Sequence, residues 1–272
     1  MVLLETAIVA HGLPAPHNLE AALNAEAAIR ETGAIPATVA VLDGALRIGV
    51  SEQEIRRLAQ EPAVKVSTRD LGWAIATRQR GATTVAATVR AAGLAGLRFM
   101  ATGGIGGVHL GRAEDVSADL YELAQTPCAV FCAGPKSVLN IGLTLERLES
   151  YEIPVLGYQT DVLPTFYART SAHRIPCVGS PSECAEVLQA SWGTGLHGVV
   201  VAVTPPHDIA DIADLMAEAL ARVGELTGPE LTPRLLRELA ALSDGRTVTA
   251  NVELVVNNAR HAADVAVEYA RR

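Results

Sequence analysis

Short apolar runs alternate along the chain with longer segments whose apolar positions recur every three or four residues, which predicts βαβ units around a sheet. The runs Thr38–Leu42, Leu97–Ala101, Cys128–Cys132, Pro154–Gly157 and Gly198–Val203 are nearly continuous in apolar residues. Strands covered on both faces read this way, because neither face meets water. Helical spacing marks Leu19–Glu31, Glu52–Ala59, Leu71–Arg80, Val85–Ala95, Ser117–Ala124, Ser137–Ser150, Ala185–Trp192 and Asp208–Glu225. Two more, Pro233–Leu242 and Asn251–Arg271, close the chain as an all-helical tail. The predicted class is α/β. No fixed-period repeat, low-complexity tract or long linker interrupts the pattern, so residues 1–272 read as one domain.

Composition narrows the partners. The 272 residues carry a formal net charge of −8, which argues against a nucleic-acid backbone or an anionic membrane, since both reward a basic surface. A small ligand is favoured. Cys128, Cys132, Cys177 and Cys184 are spaced CxxxC and Cx6C, matching neither a zinc ribbon nor a redox CxxC pair, so they read as reduced, mostly buried thiols of a cytoplasmic protein. The opening MVLLETAIVAHG places Glu5 within a short apolar run and has no basic leader; it is a poor signal peptide. No uncharged apolar stretch approaches the roughly 18 residues of a membrane span.

Four glycine-rich or turn-rich stretches follow predicted strands: Thr102–Gly111 (TGGIGGVHLG), Cys132–Ser137 (CAGPKS), Gly157–Tyr167 (GYQTDVLPTFY) and Val203–Asp208 (VTPPHD). Open α/β sheets bind ligands at the carboxyl ends of their strands, so these loops are expected to converge on one cleft. The glycine cluster is a poor dinucleotide fingerprint, because His109 stands where the third glycine of GxGxxG belongs. Two readings remain for it: a tight turn needing positive φ at several glycines, or a cradle for a phosphate or sugar. Downstream, Ser117 is placed to cap a helix with Asp119 in its first turn, where free backbone N–H groups also form an anion site. Capping does not explain Asp115, two residues before the cap. A single carboxylate backed by water suits Mg²⁺ or Mn²⁺.

Lysine is scarce: Lys65 and Lys136 are the only two, in a chain with 22 Lys and Arg together. Arginine bias of this degree also follows from GC-rich coding. Lys136 stands between a predicted strand and a predicted helix start. It reads either as a snorkelling surface lysine or as a nucleophile towards an aldehyde carbon, a role arginine cannot fill. A cation at a helix N-terminus opposes the helix dipole, which tilts the balance towards function.

Together the stretches ETAIVAHGLPAPHN, GAIPATVAVLDG, VKVSTRDL, GATTVAATVRAAGLAGLRFMATGGIGGVH, DVSADLYELA, CAGPKSVLNIGLT, PVLGYQTDVLPTFYARTS and NVELVVNNA resemble the pseudouridine-5′-phosphate glycosidase family. The likeness runs in unbroken order from Glu5 to the C-terminus. It implies a three-layer α/β/α sandwich with a mostly parallel sheet, a homotrimer, and reversible cleavage of the C–C glycosidic bond of pseudouridine 5′-phosphate to uracil and ribose 5-phosphate. Carried over by position, the acid/base glutamate falls on Glu5, the Schiff-base lysine on Lys136 and the Mn²⁺- or Mg²⁺-binding aspartate on Asp115. Phosphate and ribose contacts fall on Lys65, Val85, Ser117, Ala118 and Asp119, with His109 and Asn251 as site neighbours.

Departures from the family pattern accompany these matches. Leu110 stands where the family has arginine, Pro135 replaces an alanine, Asn140 an aspartate, and Val203–His207 replaces Asn-Pro-Ile-Pro-Glu. They bear on the aglycone. One expectation is therefore the pseudouridine phosphate reaction; a second keeps the mechanism and joins ribose 5-phosphate to an aromatic polyketide-type aglycone in antibiotic biosynthesis. A non-catalytic or dinucleotide-binding α/β protein is the third.

Overall fold

A computed structural model describes residues 1–224 and 231–272. In chain order its strands are β1 (Val2–Leu4), β2 (Pro36–Leu42), β3 (Ala45–Ile48), β4 (Val64–Val66), β5 (Gly81–Thr83), β6 (Phe99–Ala101), β7 (Val108–His109), β8 (Arg112–Val116), β9 (Ala129–Cys132), β10 (Leu139–Asn140), β11 (Val155–Tyr158), β12 (Cys177–Val178) and β13 (Val199–Val203). The helices are α1 (His17–Glu31), α2 (Glu52–Gln60), α3 (Leu71–Ala76), α4 (Val85–Ala95), α5 (Ala118–Leu123), α6 (Ile141–Ser150), α7 (Pro181–Gly193), α8 (Ile212–Val223), α9 (Leu231–Leu242) and α10 (Arg246–Ala270). A π-helical turn (Ile8–Gly12) follows β1 and a 3₁₀ turn (Thr68–Asp70) precedes α3.

Ten strands form one sheet, in the order β12-β11-β13-β9-β6-β1-β2-β5-β4 with β3 on the side of β2. From β12 to β2 every neighbouring pair is parallel. β5 runs antiparallel to β2, and β4 is parallel to β5. A separate antiparallel sheet, β10-β7-β8, stands beyond the end of β6.

The two-residue period of each strand sorts its side chains into two cores. Val2, Leu4, Phe99, Ala101, Phe131, Val199 and Val201 pack on one face with α1, α7 and α10. Leu3, Met100, Val130, Cys132 and Val200 pack on the other with α4, α5 and Leu148 of α6. Helices thus cover both faces, and the chain is a three-layer α/β/α sandwich. The four cysteines are free, three of them buried; burial pushes the thiols of Cys128, Cys132 and Cys184 up to about 12.

Capping accounts for several helix starts. Ser51 and Glu54 close a capping box on α2, and the Thr84, Asn140 and Ser180 side chains accept from N–H groups in the first turns of α4, α6 and α7. The predicted helix Ser137–Ser150 is shorter than expected. Leu139–Asn140 pairs with Val108–His109 instead, and the helix begins at Ile141, where Asn140 Oδ1 accepts from Leu143 N at 3.0 Å. Leu71–Arg80 ends at Ala76, and the tail helix begins at Arg246, five residues ahead of the predicted Asn251. The helix predicted over Asp208–Glu225 runs from Ile212 to Val223; Glu225 lies outside the described residues. No helix among the described residues is long and apolar enough to cross a membrane.

Candidate functional site

The carboxyl ends of β1, β6 and β9 open onto a cavity of about 590 Å³, a size typical of a small-ligand site. Glu5, the first residue past β1, is buried there. Its Oε2 accepts from Ile8 N at 2.9 Å and its Oε1 from the Thr102 hydroxyl at 3.3 Å. Burial pushes the Glu5 carboxyl above its ordinary value, against the opposing pull of the Lys136 charge and of these two hydrogen bonds. A carboxyl held this way is suited to donate a proton and take it back.

Lys136 is positioned by an extension of the sheet. Beyond β6 and β9 the segments Gly103–Ile105 and Ala133–Lys136 run side by side, through Ala133 N to Gly103 O, Ile105 N to Gly134 O (3.2 Å) and Lys136 N to Ile105 O (3.1 Å). Gly134 sits at φ +79°, and a Cβ there would lie 2.1 Å from the Pro164 carbonyl oxygen, so only glycine allows this close approach. Pro135 stands opposite Ile105, whose hydrogen bonds go to the residues on either side of it. The N–H that proline lacks is therefore one the pairing does not use. Lys136 lies in a loop five residues ahead of α6, not at a helix start, because residues 139–140 are held as a strand; the expected opposition to a helix dipole does not arise.

On the other flank, Lys65 is the middle residue of β4, in register with Ala82 of β5. The end of β5 is tied to the end of β1: Thr6 N donates to Thr83 O at 3.2 Å, and Thr83 N to Thr6 Oγ1 at 2.9 Å. Burial, followed by the Lys136 charge, pushes the Lys65 ammonium below its ordinary value, while Asp119 and Glu5 pull the other way. Among the described residues neither lysine has a carboxylate within 4.0 Å.

Asp119 organises the space between these flanks. Its Oδ1 accepts from Ala86 N at 2.9 Å, at the start of α4, and its Oδ2 from Gly106 N at 2.8 Å. Ser117 caps α5 as expected, its hydroxyl accepting from Asp119 N at 3.2 Å. The glycines between β6 and β7 do not serve positive φ. None of Gly103, Gly104, Gly106 and Gly107 has one. They allow close approach instead: a Cβ on Gly106 would lie 2.2 Å from Ser117 Oγ, and one on Gly107 2.4 Å from Thr144 Oγ1. The loop then enters the β7–β8 hairpin, not a helix, so the helix start that a dinucleotide fingerprint requires is missing at this place.

That hairpin brings His109 and Asp115 together, with His109 Nδ1 3.3 Å from Asp115 Oδ1 and 3.2 Å from the Asp115 carbonyl oxygen. Among the described residues no three His, Cys, Asp or Glu side chains gather as a metal cage. The half-exposed Asp115 carboxylate faces the cavity as one hard oxygen donor. That donor set fits a cation that keeps most of its water, and does not fit a structural zinc.

All ten residues singled out in the sequence line this one cavity: Glu5, Lys65, Val85, His109, Asp115, Ser117, Ala118, Asp119, Lys136 and Asn251. Asn251, on α10, is buried; its Nδ2 donates to the Tyr167 hydroxyl at 2.8 Å and its Oδ1 has no partner among the described residues. His11, Arg69, Phe166 and Leu236 also line the cavity, and none of them is marked as a site residue by the sequence. Leu236 carries no signal beyond helix periodicity, and Arg69 is one arginine among many. Of the four loops expected to converge, Val203–Asp208 does not reach the cavity; it folds onto the Tyr167–Arg169 segment, where Ile209 N donates to Tyr167 O at 3.0 Å. Leu110, Pro135 and Asn140 are also absent from the lining.

Known proteins resemble the chain along nearly its whole length. The family model described as indigoidine synthase A like protein matches residues 1–268. The pseudouridine-5′-phosphate glycosidase of Geobacillus kaustophilus is 46% identical over 279 residues, covering 98% of this chain and 93% of the relative. That of Escherichia coli K12 is 43% identical over 283 residues, covering 100% and 91%. An indigoidine synthase A-like protein from Thermotoga maritima superposes with a TM-score of 0.93 at 34% identity, over 98% of this chain and 91% of that one. The prealnumycin C-glycosynthase AlnA, solved with ribulose 5-phosphate, superposes with a TM-score of 0.89 at 32% identity, over 100% and 93%.

Proposed function

The chain belongs to the indigoidine synthase A like protein family, and from that premise we propose that it is a C-glycosidase acting on pseudouridine 5′-phosphate, reversibly giving uracil and ribose 5-phosphate. The observation that carries this reading is the placement of the chain's only two lysines. Both lie in one cavity with the buried Glu5, and neither is paired with a carboxylate among the described residues. Unpaired cations at the wall of a closed site are stabilised by an anionic ligand.

A C–C glycosidic bond offers no leaving oxygen to protonate, so the carboxylate pair of an ordinary glycosidase has nothing to act on. An amine at C1′ supplies the push instead, its lone pair forming an imine as the aglycone carbon leaves. In the cleavage direction Glu5 protonates the ribose ring oxygen as the C1′–O bond breaks and the ring opens, and the Lys136 amine adds at C1′ and returns one of its protons to the Glu5 carboxylate. The bond from C1′ to the aglycone carbon breaks with its electron pair on that carbon, which takes a proton from the Glu5 carboxyl. Water then hydrolyses the C1′ imine, releasing ribose 5-phosphate and the free amine. Lys65 and the Ser117–Asp119 turn hold the phosphate, whose binding energy positions C1′. Asp115 would hold a hydrated Mn²⁺ or Mg²⁺ through one carboxylate oxygen, with His109 fixing that carboxylate, and the ion would supply positive charge towards the substrate's oxygens. A homotrimer belongs to the same proposal; Ile35, Trp73, Leu94 and Tyr121 are among the exposed large apolar side chains available for its contacts.

The C-glycosynthase reading is favoured by the likeness to AlnA. Against it, the departures that prompted it lie outside the cavity lining: Asn140 is a helix cap, Pro135 spares an unused N–H, and Leu110 sits at an exposed hairpin tip. The test is borohydride trapping with ribose 5-phosphate, followed by turnover of uracil and ribose 5-phosphate with Mn²⁺. The expected result is one adduct, on Lys136, absent in Lys136→Arg, and a product that is pseudouridine 5′-phosphate, with Lys136→Arg slower by about 10⁴-fold or more. An adduct elsewhere overturns the mechanism. An adduct on Lys136 without turnover of uracil moves the substrate to the second reading.

A further inference from the structure

The π-helical turn Ile8–Gly12 carries a titratable side chain that the mechanism leaves unused. His11 lines the same cavity as Glu5 and Lys65, and its Nε2 is covered from solvent with no hydrogen-bond partner among the described residues. A buried polar atom left unmatched costs about 1–3 kcal/mol, so such an atom in a ligand cavity calls for a ligand atom.

The surroundings identify which part of the ligand. The π-helical turn packs against α2, the helix that leads into β4 and Lys65, and burial, followed by the Lys65 ammonium, pushes the His11 imidazole below its ordinary value and towards the neutral form. His11 therefore stands at the Lys65 end of the cavity. Two carboxylates that line the same cavity, those of Asp70 and Asp119, are engaged by backbone amides. Asp70 accepts from Ser67 N at 3.0 Å, and both oxygens of Asp119 hold backbone amides. The turn itself is fixed at both ends, by Ile8 N on the Glu5 carboxylate at 2.9 Å and by Leu13 N on Ile8 O at 3.1 Å. One rigid turn thus carries the acid/base group ahead of it and the imidazole within it. Segments of π-helix inside proteins concentrate at functional sites.

We propose that His11 is a further substrate-binding residue, hydrogen-bonding through Nε2 to an oxygen of the phosphosugar at the end of the cavity held by Lys65. The inference rests on the phosphosugar reading above. Lys65 contributes charge there and His11 direction: an ammonium is a compact point charge, whereas an imidazole nitrogen accepts or donates along one line in the ring plane.

Calorimetric titration of the intact protein with ribose 5-phosphate, and separately with inorganic phosphate, tests it on wild type, His11→Ala and His11→Gln. The expected result is about tenfold weaker ribose 5-phosphate binding in His11→Ala, partial recovery in His11→Gln, and thermal stability close to wild type in both. Unchanged affinity in a folded His11→Ala protein overturns the inference. Lower stability in both variants with ribose 5-phosphate affinity unchanged in His11→Gln and in the folded fraction of His11→Ala assigns the ring to packing, and also overturns it. Wild-type protein that binds no ribose 5-phosphate overturns the functional reading and this inference with it, whereas wild-type binding that survives in His11→Ala overturns the inference alone.

Discussion

The strands β1, β6 and β9 on one side, and β13 and β11 on the other, are neighbours in one parallel array and end along the same edge, yet the loops beyond them differ in how their polar groups are matched. After β13 and β11, from which Phe166 alone among the described residues reaches the cavity, the loop polar groups find partners within the protein, although the buried His261 Nδ1 of α10, beside Tyr158, has none among the described residues. Asn257 Nδ2 donates to Thr204 O at 3.3 Å, Arg169 Nη1 to Pro206 O at 2.9 Å, and Gln159 N to Val178 O at 2.7 Å. Around the ends of β1, β6 and β9, including Lys65 of β4 and Asn251 of α10, they do not: the two lysines lack carboxylates, and His11 Nε2, Ser137 Oγ and Asn251 Oδ1 are buried without partners among the described residues. Both edges come from similar strand and turn grammar. What separates a binding edge from a closed one is unmatched polar chemistry, because a fold selected for stability alone would have satisfied it.

The largest effect that probes this division falls on the closed side. Gly157, the penultimate residue of β11, packs so tightly that a Cβ would lie 2.0 Å from the Thr160 carbonyl oxygen. Gly157→Ala is expected to lose about 2–4 kcal/mol, since backbone must move to make room. A denaturation midpoint reads that loss, and ribose 5-phosphate affinity per folded molecule stays at the wild-type value. A drop in affinity at unchanged midpoint would show the two edges to be one functional unit.

Lys65→Met gives the reciprocal result on the binding edge. The variant keeps the apolar stem and removes the cation. Calorimetry should show ribose 5-phosphate bound about 10–100-fold more weakly, the range of a lost hydrogen bond to a charged group. Stability should hold or rise, because the native state no longer buries part of an unpaired ammonium. A destabilised Lys65→Met protein would mean that Lys65 is part of the scaffold.

The same contrast explains what was legible in the sequence. The long parallel strands and the amphipathic helices were, because burial on two faces or on one leaves a strong pattern; hence β2, β9 and β13 stood out. β1, β4 and β5 have three residues each, too few for a period; unlike the equally short β6, β4 and β5 are marked by no extended apolar run, and Glu5 closes the run at β1. They carry or adjoin Glu5 and Lys65. The start of α6 was misplaced because Leu139 is apolar in either setting and its strand partner, His109, lies 30 residues away. The glycines after β6 were visible as glycines, but their reason is a tertiary one: Ser117 and Thr144 occupy the volume a side chain would need. The lysines were legible through scarcity. His11 was not, since a histidine without a partner differs from a satisfied one only in three dimensions.

The smallest effect is also the most discriminating, because it concerns the sign of a pH dependence. The Glu5 carboxyl titrates above its ordinary 4.5 in the folded chain, so as pH rises from 4.5 towards the native value the native state holds a proton that the unfolded chain has released. The unfolded state binds fewer protons in that window, and stability falls with rising pH, by up to about 1.4 kcal/mol per unit where the difference is one whole proton. Lys65 acts with the opposite sign at the alkaline end. Its native value lies below the ordinary 10.5, so just under 10.5 it is the unfolded chain that holds the extra proton, and stability rises with pH. Denaturation midpoints of wild type, Glu5→Gln and Lys65→Met across both windows separate the two: Glu5→Gln should flatten the acid-side fall and leave the alkaline rise, and Lys65→Met should do the reverse. An acid-side fall that persists in Glu5→Gln would mean that the carboxyl is accommodated as an ordinary charge, and the binding edge would then differ from the closed edge in its lysines but not in its acid.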